Sequence, residues 1–119
     1  MDNLNEIKEL IENNPVALAT VMADGQPNII GVAFVKVVAD NQLLVTDNYM
    51  KQTITDITSH QNVCLIVWDS NLCGHKIIGE AKYYTSGPWK DYVERMVENK
   101  GLPAKGAILI KVSKIIKSK

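Results

Sequence analysis

The residues best placed to do chemistry lie in the segment VTDNYMKQT, residues 45–53. A strand is predicted to end here and a helix to begin, with Lys51, Gln52 and Thr53 but no acid in its first turn. A cation at a helix N-terminus opposes the helix dipole at a cost of up to about 1 kcal/mol. An anion held by free amides, the Lys51 ammonium and the Thr53 hydroxyl would remove that conflict. Taken alone, however, the segment fits a solvated lysine on an exposed turn better than a phosphate site.

The elements that must position these residues follow from periodicity and turn signals. Helices are predicted over residues 3–14, within 47–62 and over 86–101, and strands over 16–22, 28–38, 43–46, 63–68, 75–85 and 106–116. Asp-Gly in ADGQ, residues 23–26, predicts a hairpin turn. Asp47 or Asn48 could cap the second helix, and Pro88 and Gly101 fit the start and end of the third. Six strands with few helices predict a mainly β protein, a closed antiparallel barrel with peripheral helices.

Composition excludes several classes of protein. The 119 residues predict one domain, and thirteen basic residues balance thirteen acidic ones, which argues against a nucleic-acid binder. No apolar run is long enough to cross a membrane, and the N-terminus lacks the basic region of a secretory signal. Cys64 and Cys73 form no CxxC motif and no disulfide framework, so we expect a cytoplasmic protein.

The other reactive side chains give weaker signals. His60 and His75 are isolated and form no metal-binding motif; His60 is expected to end a helix and His75 to face solvent. No nucleophile elbow, dinucleotide fingerprint or P-loop is present. We therefore predict no metal site, and catalytic residues cannot be named.

Several segments in order match a known family: the VALATVMADGQPNI hairpin, the long second strand, the VTDNYMKQTITDI step, the NVCLIVW and KIIGEAKYY strands, and a final helix and strand. The chain resembles the FMN-binding split-barrel family of the pyridoxamine 5'-phosphate oxidase-like superfamily, and in length its small FMN-binding proteins. The resemblance implies a six-stranded antiparallel split β-barrel with Greek-key-like connections and about three helices.

The resemblance also implies where FMN would bind. Lys51 and Thr53, with Gln52 between them, would hold the flavin phosphate. The ring would lie along the second and third strands, which implies contacts with Gly31, Val32, Ala33, Val45, Thr46 and Asp47. Gly31 would allow a planar ring to approach closely, and a β-bulge or barrel bend explains it equally well.

In this family the site lies between the subunits of a homodimer, so aromatic residues of the second subunit should cover the ring. Trp89, Tyr92 and Trp68 are the candidates, because aromatic rings stack on flat apolar ligands. For Trp89 and Tyr92, packing at helical spacing is the favoured alternative.

The resemblance implies an FMN-dependent oxidoreductase or electron-transfer protein acting on an unknown small substrate. It does not imply a true pyridoxamine 5'-phosphate oxidase, because those enzymes are nearly twice as long and bind the substrate phosphate with extra arginines, whereas Arg95 is the single arginine here. Two alternatives stay open. One is a non-catalytic binding or storage module for FMN or another planar anionic cofactor, such as a deazaflavin or haem. The other is a ligand-free interaction barrel.

Overall fold

The computed structural model describes residues 3–118, which form seven strands and three α-helices. Met1, Asp2 and Lys119, the ends of the single domain expected from the sequence, lie outside the described residues. The strands are β1 (Val16–Val21), β2 (Pro27–Val32), β3 (Val35–Ala39), β4 (Gln42–Asp47), β5 (Asn62–Trp68), β6 (Gly74–Tyr84) and β7 (Gly106–Ser118). The helices are α1 (Lys8–Asn13), α2 (Gln52–Ser59) and α3 (Pro88–Arg95), and 3-10 turns cover Leu4–Ile7 and Val97–Asn99.

The strands form one antiparallel sheet in the order β2-β1-β5-β6-β7-β4-β3. Each strand contributes buried apolar side chains to the same core, for example Leu18, Val32, Val37, Leu43, Leu65, Ile77 and Ile110. Each fully buried side chain of this kind stabilises the fold by roughly 1.5–3 kcal/mol. Because all seven strands enclose one core, the sheet curves into a barrel, and the predicted mainly β antiparallel class is confirmed.

The strand predicted over residues 28–38 is in fact two strands, so the sheet has seven strands where the sequence predicted six. Val32 is 9% exposed and Val35 is 4% exposed, so both face the core. Residues three apart in a continuous strand point to opposite faces, and the chain must therefore break between them. The break at residues 33–34 carries the chain from β2, which pairs with β1, to β3, which pairs with β4.

The helix predicted within residues 47–62 begins later than expected, at Gln52. Neither Asp47 nor Asn48 caps it, and this prediction was wrong. Asp47 ends β4, and its carboxylate accepts a hydrogen bond of 2.8 Å from the amide of Met50, ahead of the helix. The side-chain amide of Asn48 donates instead to the loop before β7.

The third helix begins at Pro88 as predicted but ends at Arg95, well short of residue 101. Met96 takes an extended conformation with ψ 130° and stops the helix. Gly101, with φ 85°, follows the second 3-10 turn, so the prediction that it ends α3 was wrong. Its left-handed conformation still requires glycine.

The ADGQ turn has the predicted form. Gly25 has φ 89°, and the amide of Met22 donates to the carbonyl of Gln26 at 2.8 Å. The turn fixes the register of β1 and β2, so Thr20 lies directly opposite Asn28.

Candidate functional site

A cavity of about 460 Å³ opens where the break between β2 and β3 meets the loop from β4 to α2. Residues 30–34 form one wall, Thr46 and residues 48–53 form the other, and Leu102 lies at its edge. The lining is mainly apolar, with a polar end at the start of α2. Small-molecule sites typically enclose about 300–1,000 Å³ of this mixed character, which makes this cavity the candidate site.

Most residues that the sequence predicts to contact a cofactor line this cavity, namely Gly31, Val32, Ala33, Thr46, Lys51, Gln52 and Thr53. They come from β2, β4 and the start of α2. In the sheet β2 and β4 are far apart, and it is the break after β2 that brings the two regions together.

The other predicted residues lie outside the lining. Val45 is 0% exposed and packs in the core, and the Asp47 side chain, also 0% exposed, accepts hydrogen bonds from the hydroxyl of Tyr83 and the amide of Met50. Trp89 packs against a smaller cluster that includes Val93 and Met96, in agreement with the packing interpretation. Its contact with a flavin in a second subunit remains a prediction, as does that of Tyr92, whose ring centre lies 6.4 Å from that of Trp89.

The N-terminus of α2 carries positive charge without compensation from residues 3–118. Its N-cap residue is Lys51, no side chain caps it, and its first turn holds no acid. Lys51 is exposed and forms no ion pair within the described part of the chain. Free amides, the helix dipole and the ammonium therefore act together at the polar end of the cavity, an arrangement that binds anions.

Thr53 and Gln52 take different roles in this turn. Thr53 is 2% exposed but lines the cavity, and its hydroxyl oxygen accepts a hydrogen bond of 3.2 Å from Asn28. Gln52 donates its side-chain amide to the buried carboxylate of Asp56 at 2.6 Å. The Thr53 hydroxyl can still donate its proton to a ligand, whereas the Gln52 amide is bound to Asp56 within the helix.

Gly31 opens the opposite wall. A Cβ built on Gly31 meets nothing within 4 Å, so the space above this strand position is empty and faces the cavity. The residue pairs with Ala17 in the regular register of β1 and β2, without a bulge. A flat ligand could lie against the strand here, where any side chain would project into its space.

Two polar contacts, one part-buried and one exposed, hold the loop that lines the cavity. The hydroxyl of Tyr83 on β6 donates to the Asp47 carboxylate at 2.6 Å, and the ammonium of Lys105 donates to the carbonyl of Met50 at 2.7 Å. Burial, followed by the bond to Asp47, raises the pKa of Tyr83 well above its ordinary value of 10.0. The turn between β4 and α2 is therefore fixed from both sides.

Sequence reasoning missed the residues that support the site: Thr20, Asn28, Asp56, Tyr83 and Lys105. Two signals could have revealed part of this set. Asp56 lies four residues after Gln52 on a helix, where side chains meet. Asn28 lies opposite Thr20 in the register that the Asp-Gly turn imposes. No local signal connects Tyr83 with Asp47, which lies 36 residues away.

The two histidines lie outside the cavity lining. His60 follows the end of α2, as predicted. His75 does not face solvent as expected: it pairs with the buried Val67, and its Nδ1 atom is buried without a hydrogen-bond partner. Directly opposed side chains share a face of the sheet, which turns His75 inward.

Residues 3–118 contain neither a metal-binding cluster nor a membrane-spanning helix. No group of three or more His, Cys, Asp and Glu side chains there could hold a metal ion. Over the same range, every helix is too short or too polar to span a bilayer.

Comparison with known proteins places the chain in a family. It is 29% identical over 114 residues to an uncharacterized protein of Methanocaldococcus jannaschii, covering 92% of this chain and 76% of that protein. The crystal structure of a HupZ variant from Group A Streptococcus has a TM-score of 0.88 and 28% identity, covering 99% of this chain and 100% of that one. An FMN-binding protein from Syntrophomonas wolfei shares the fold with a TM-score of 0.80 and 17% identity, covering 98% of this chain and 86% of that one. The family model described as pyridoxamine 5'-phosphate oxidase matches residues 4–119, and the chain belongs to this family.

Proposed function

We propose that this protein binds FMN and acts as an oxidoreductase or electron-transfer protein on a small substrate. The observation that carries the proposal is the uncapped, positively charged start of α2, which opens into a mainly apolar cavity of about 460 Å³. Lys51, Thr53 and the first-turn amides would hold the phosphate, and the wall at residues 31–33 would hold the ring. Bound FMN would supply hydride or electron transfer.

The lining supports a role in which the cofactor carries the chemistry. Among the lining residues within 3–118, only Tyr49 and Lys51 have titratable side chains. Arg95 lies outside the cavity, which leaves Lys51 as the charged residue for a phosphate and agrees with an activity other than pyridoxamine 5'-phosphate oxidation. The FMN-binding protein from Syntrophomonas wolfei adds support at the level of the fold.

The first test is the visible spectrum of the purified protein, followed by release of any chromophore with heat and titration with FMN. We expect a yellow protein, or a colourless one that takes up about one FMN per chain. The double variant Lys51→Ala with Thr53→Ala should lower FMN affinity by roughly 100-fold or more, because it removes two charge-assisted contacts. The double variant Lys82→Ala with Thr85→Ala, which changes the same residue types outside the cavity, is the matched control. Full FMN retention by the first variant would contradict the phosphate assignment.

We further propose that the protein is a homodimer with FMN at the subunit interface. Two apolar side chains at the cavity, Tyr49 and Leu102, are 70% and 41% exposed. A second subunit placed over this opening would bury them and close the site. Light scattering should give twice the chain mass, and Tyr49→Glu should weaken both dimerisation and FMN binding. A monomer that binds FMN with full affinity would contradict this arrangement.

A second candidate function is a non-catalytic flavin carrier. It is favoured by the lack of a carboxylate or imidazole side chain among the described lining residues. Reduction of the FMN-loaded protein by NADH or NADPH, followed by reoxidation in air, distinguishes the two. Repeated turnover supports the oxidoreductase, and stable binding without turnover supports the carrier.

A further inference from the structure

The hydroxyl of Thr53 belongs to a set of linked polar side chains beneath the cavity. The side-chain amide nitrogen of Asn28 lies 3.2 Å from the hydroxyl oxygens of both Thr20 and Thr53. Thr20 in turn donates to the carboxylate of Asp56 at 2.7 Å, and Gln52 donates to the other oxygen of Asp56 at 2.6 Å. The set joins β1, β2 and α2 directly below the polar end of the cavity.

The chemistry of these groups fixes the direction of each hydrogen bond. A carboxylate only accepts, so the single proton of Thr20 is directed to Asp56. The oxygen of Thr20 must then accept from the amide of Asn28, whose second proton is directed to Thr53. Thr53 is therefore an acceptor on its inner side, and its own proton has no acceptor among residues 3–118.

The hydroxyl group whose proton lacks an acceptor belongs to a buried side chain. Thr53 is 2% exposed, yet it lines the cavity. A buried donor without a partner is costly, and a ligand oxygen in the cavity would remove that cost. Phosphate oxygens are strong acceptors, so the direction of the linked bonds suits an anion and disfavours a ligand that donates at this point.

Building on the proposed flavin site, we propose that Asn28 is a positioning residue that makes the Thr53 hydroxyl a donor toward the FMN phosphate. Asn28 need not touch the ligand for this role, because it acts by occupying the acceptor side of Thr53. It is therefore a determinant of the preference for FMN over riboflavin, which lacks the phosphate. A residue needed only for folding would change both affinities together.

The test compares FMN and riboflavin affinities, measured by quenching of flavin fluorescence, in wild type, Asn28→Ala and Thr53→Val. We expect Asn28→Ala to lower the affinity for FMN about tenfold and to leave that for riboflavin within about twofold. In a variant that already carries Thr53→Val, adding Asn28→Ala should not change the preference for FMN over riboflavin any further, because the hydroxyl that Asn28 orients is gone. Asn28→Leu, which keeps the side-chain volume, should behave like Asn28→Ala, and Asn62→Ala, an exposed asparagine outside the cavity, should bind both flavins as wild type does.

The outcomes separate the two proposals. If wild type prefers FMN and both Asn28 variants keep that preference, the positioning role is overturned and the flavin site stands. Independent effects of Asn28→Ala and Thr53→Val also overturn it. If folded wild type binds neither flavin, the proposed function fails, and the role of Asn28 fails with it.

Discussion

The hydroxyl of Tyr83 lies 2.6 Å from the carboxylate of Asp47, a side chain that is 0% exposed. The second oxygen of this carboxylate accepts from the amide of Met50 at 2.8 Å and lies 3.9 Å from the ammonium of Lys105. The pair therefore connects β6 with the last residue of β4, where the loop that lines the cavity begins. Stability and the shape of the candidate site depend on the same contact.

Removal of this hydroxyl should destabilise the protein. Tyr83→Phe leaves the buried carboxylate one partner short, and we expect the free energy of unfolding to fall by about 1–3 kcal/mol. Urea unfolding at neutral pH measures this fall in the free energy of unfolding. Tyr84→Phe is the matched control, because Tyr84 is half-buried and its hydroxyl has no partner within residues 3–118, so its effect should stay below about 0.5 kcal/mol. Equal losses in the two variants would contradict the role of the hydrogen bond.

The same contact predicts a dependence on alkaline pH. The pKa of Tyr83 is raised above 10.0 in the folded protein by burial and by the bond to Asp47. A group with a raised folded pKa contributes its full stabilisation below its unfolded pKa and loses it as pH rises toward the folded value. The difference in unfolding free energy between wild type and Tyr83→Phe should therefore be constant up to about pH 9 and shrink above about pH 10. Urea unfolding of both proteins from about pH 7 to 11 measures this difference. A difference that widens as the pH rises would contradict the raised pKa of Tyr83.

Gly106 provides the space that the Tyr83 ring occupies. A Cβ built on Gly106 collides with the Tyr83 ring and hydroxyl, so Gly106→Ala should displace the ring from Asp47. We expect a loss of about 1–3 kcal/mol in unfolding free energy, typical of overpacking. Gly31→Ala is the control, because its added Cβ meets nothing within 4 Å. In thermal unfolding, the melting temperature of Gly106→Ala should lie clearly below that of Gly31→Ala. A melting temperature of Gly106→Ala equal to that of wild type would contradict the close packing of Gly106 against Tyr83.

Local sequence signals predicted the parts of the site that depend on neighbouring residues. The Asp-Gly turn predicted the hairpin, and the acid-free first turn of α2 drew attention to Lys51 and Thr53, which the family resemblance then implied as a phosphate site. Both signals act over a few residues, where turn geometry and the helix dipole dominate. The residues at the polar end of the cavity could therefore be singled out without knowledge of the sheet order, whereas their role in binding came from the resemblance.

The remaining features depend on contacts between distant segments. The apolar run through residues 28–38 contains no strong turn signal, and only the burial of both Val32 and Val35 reveals the break that forms one wall of the cavity. Likewise, Tyr83 is a partner of Asp47 because β7 brings β6 and β4 to its two sides. Periodicity describes a single element and carries no information about which elements become neighbours.

A substitution at Gly31 separates the ring from the phosphate of the proposed ligand. Gly31→Val fits a β-strand, and its side chain would project into the empty space over the cavity wall. Because overlap with the ring does not involve the phosphate, affinities for FMN and for riboflavin should both fall by the same factor, about tenfold or more. Gly31→Ala should show a smaller loss of the same kind, and urea unfolding should confirm that both variants fold. If Gly31→Val instead lowers the affinity for FMN and spares riboflavin, then the phosphate, and not the ring, lies against β2.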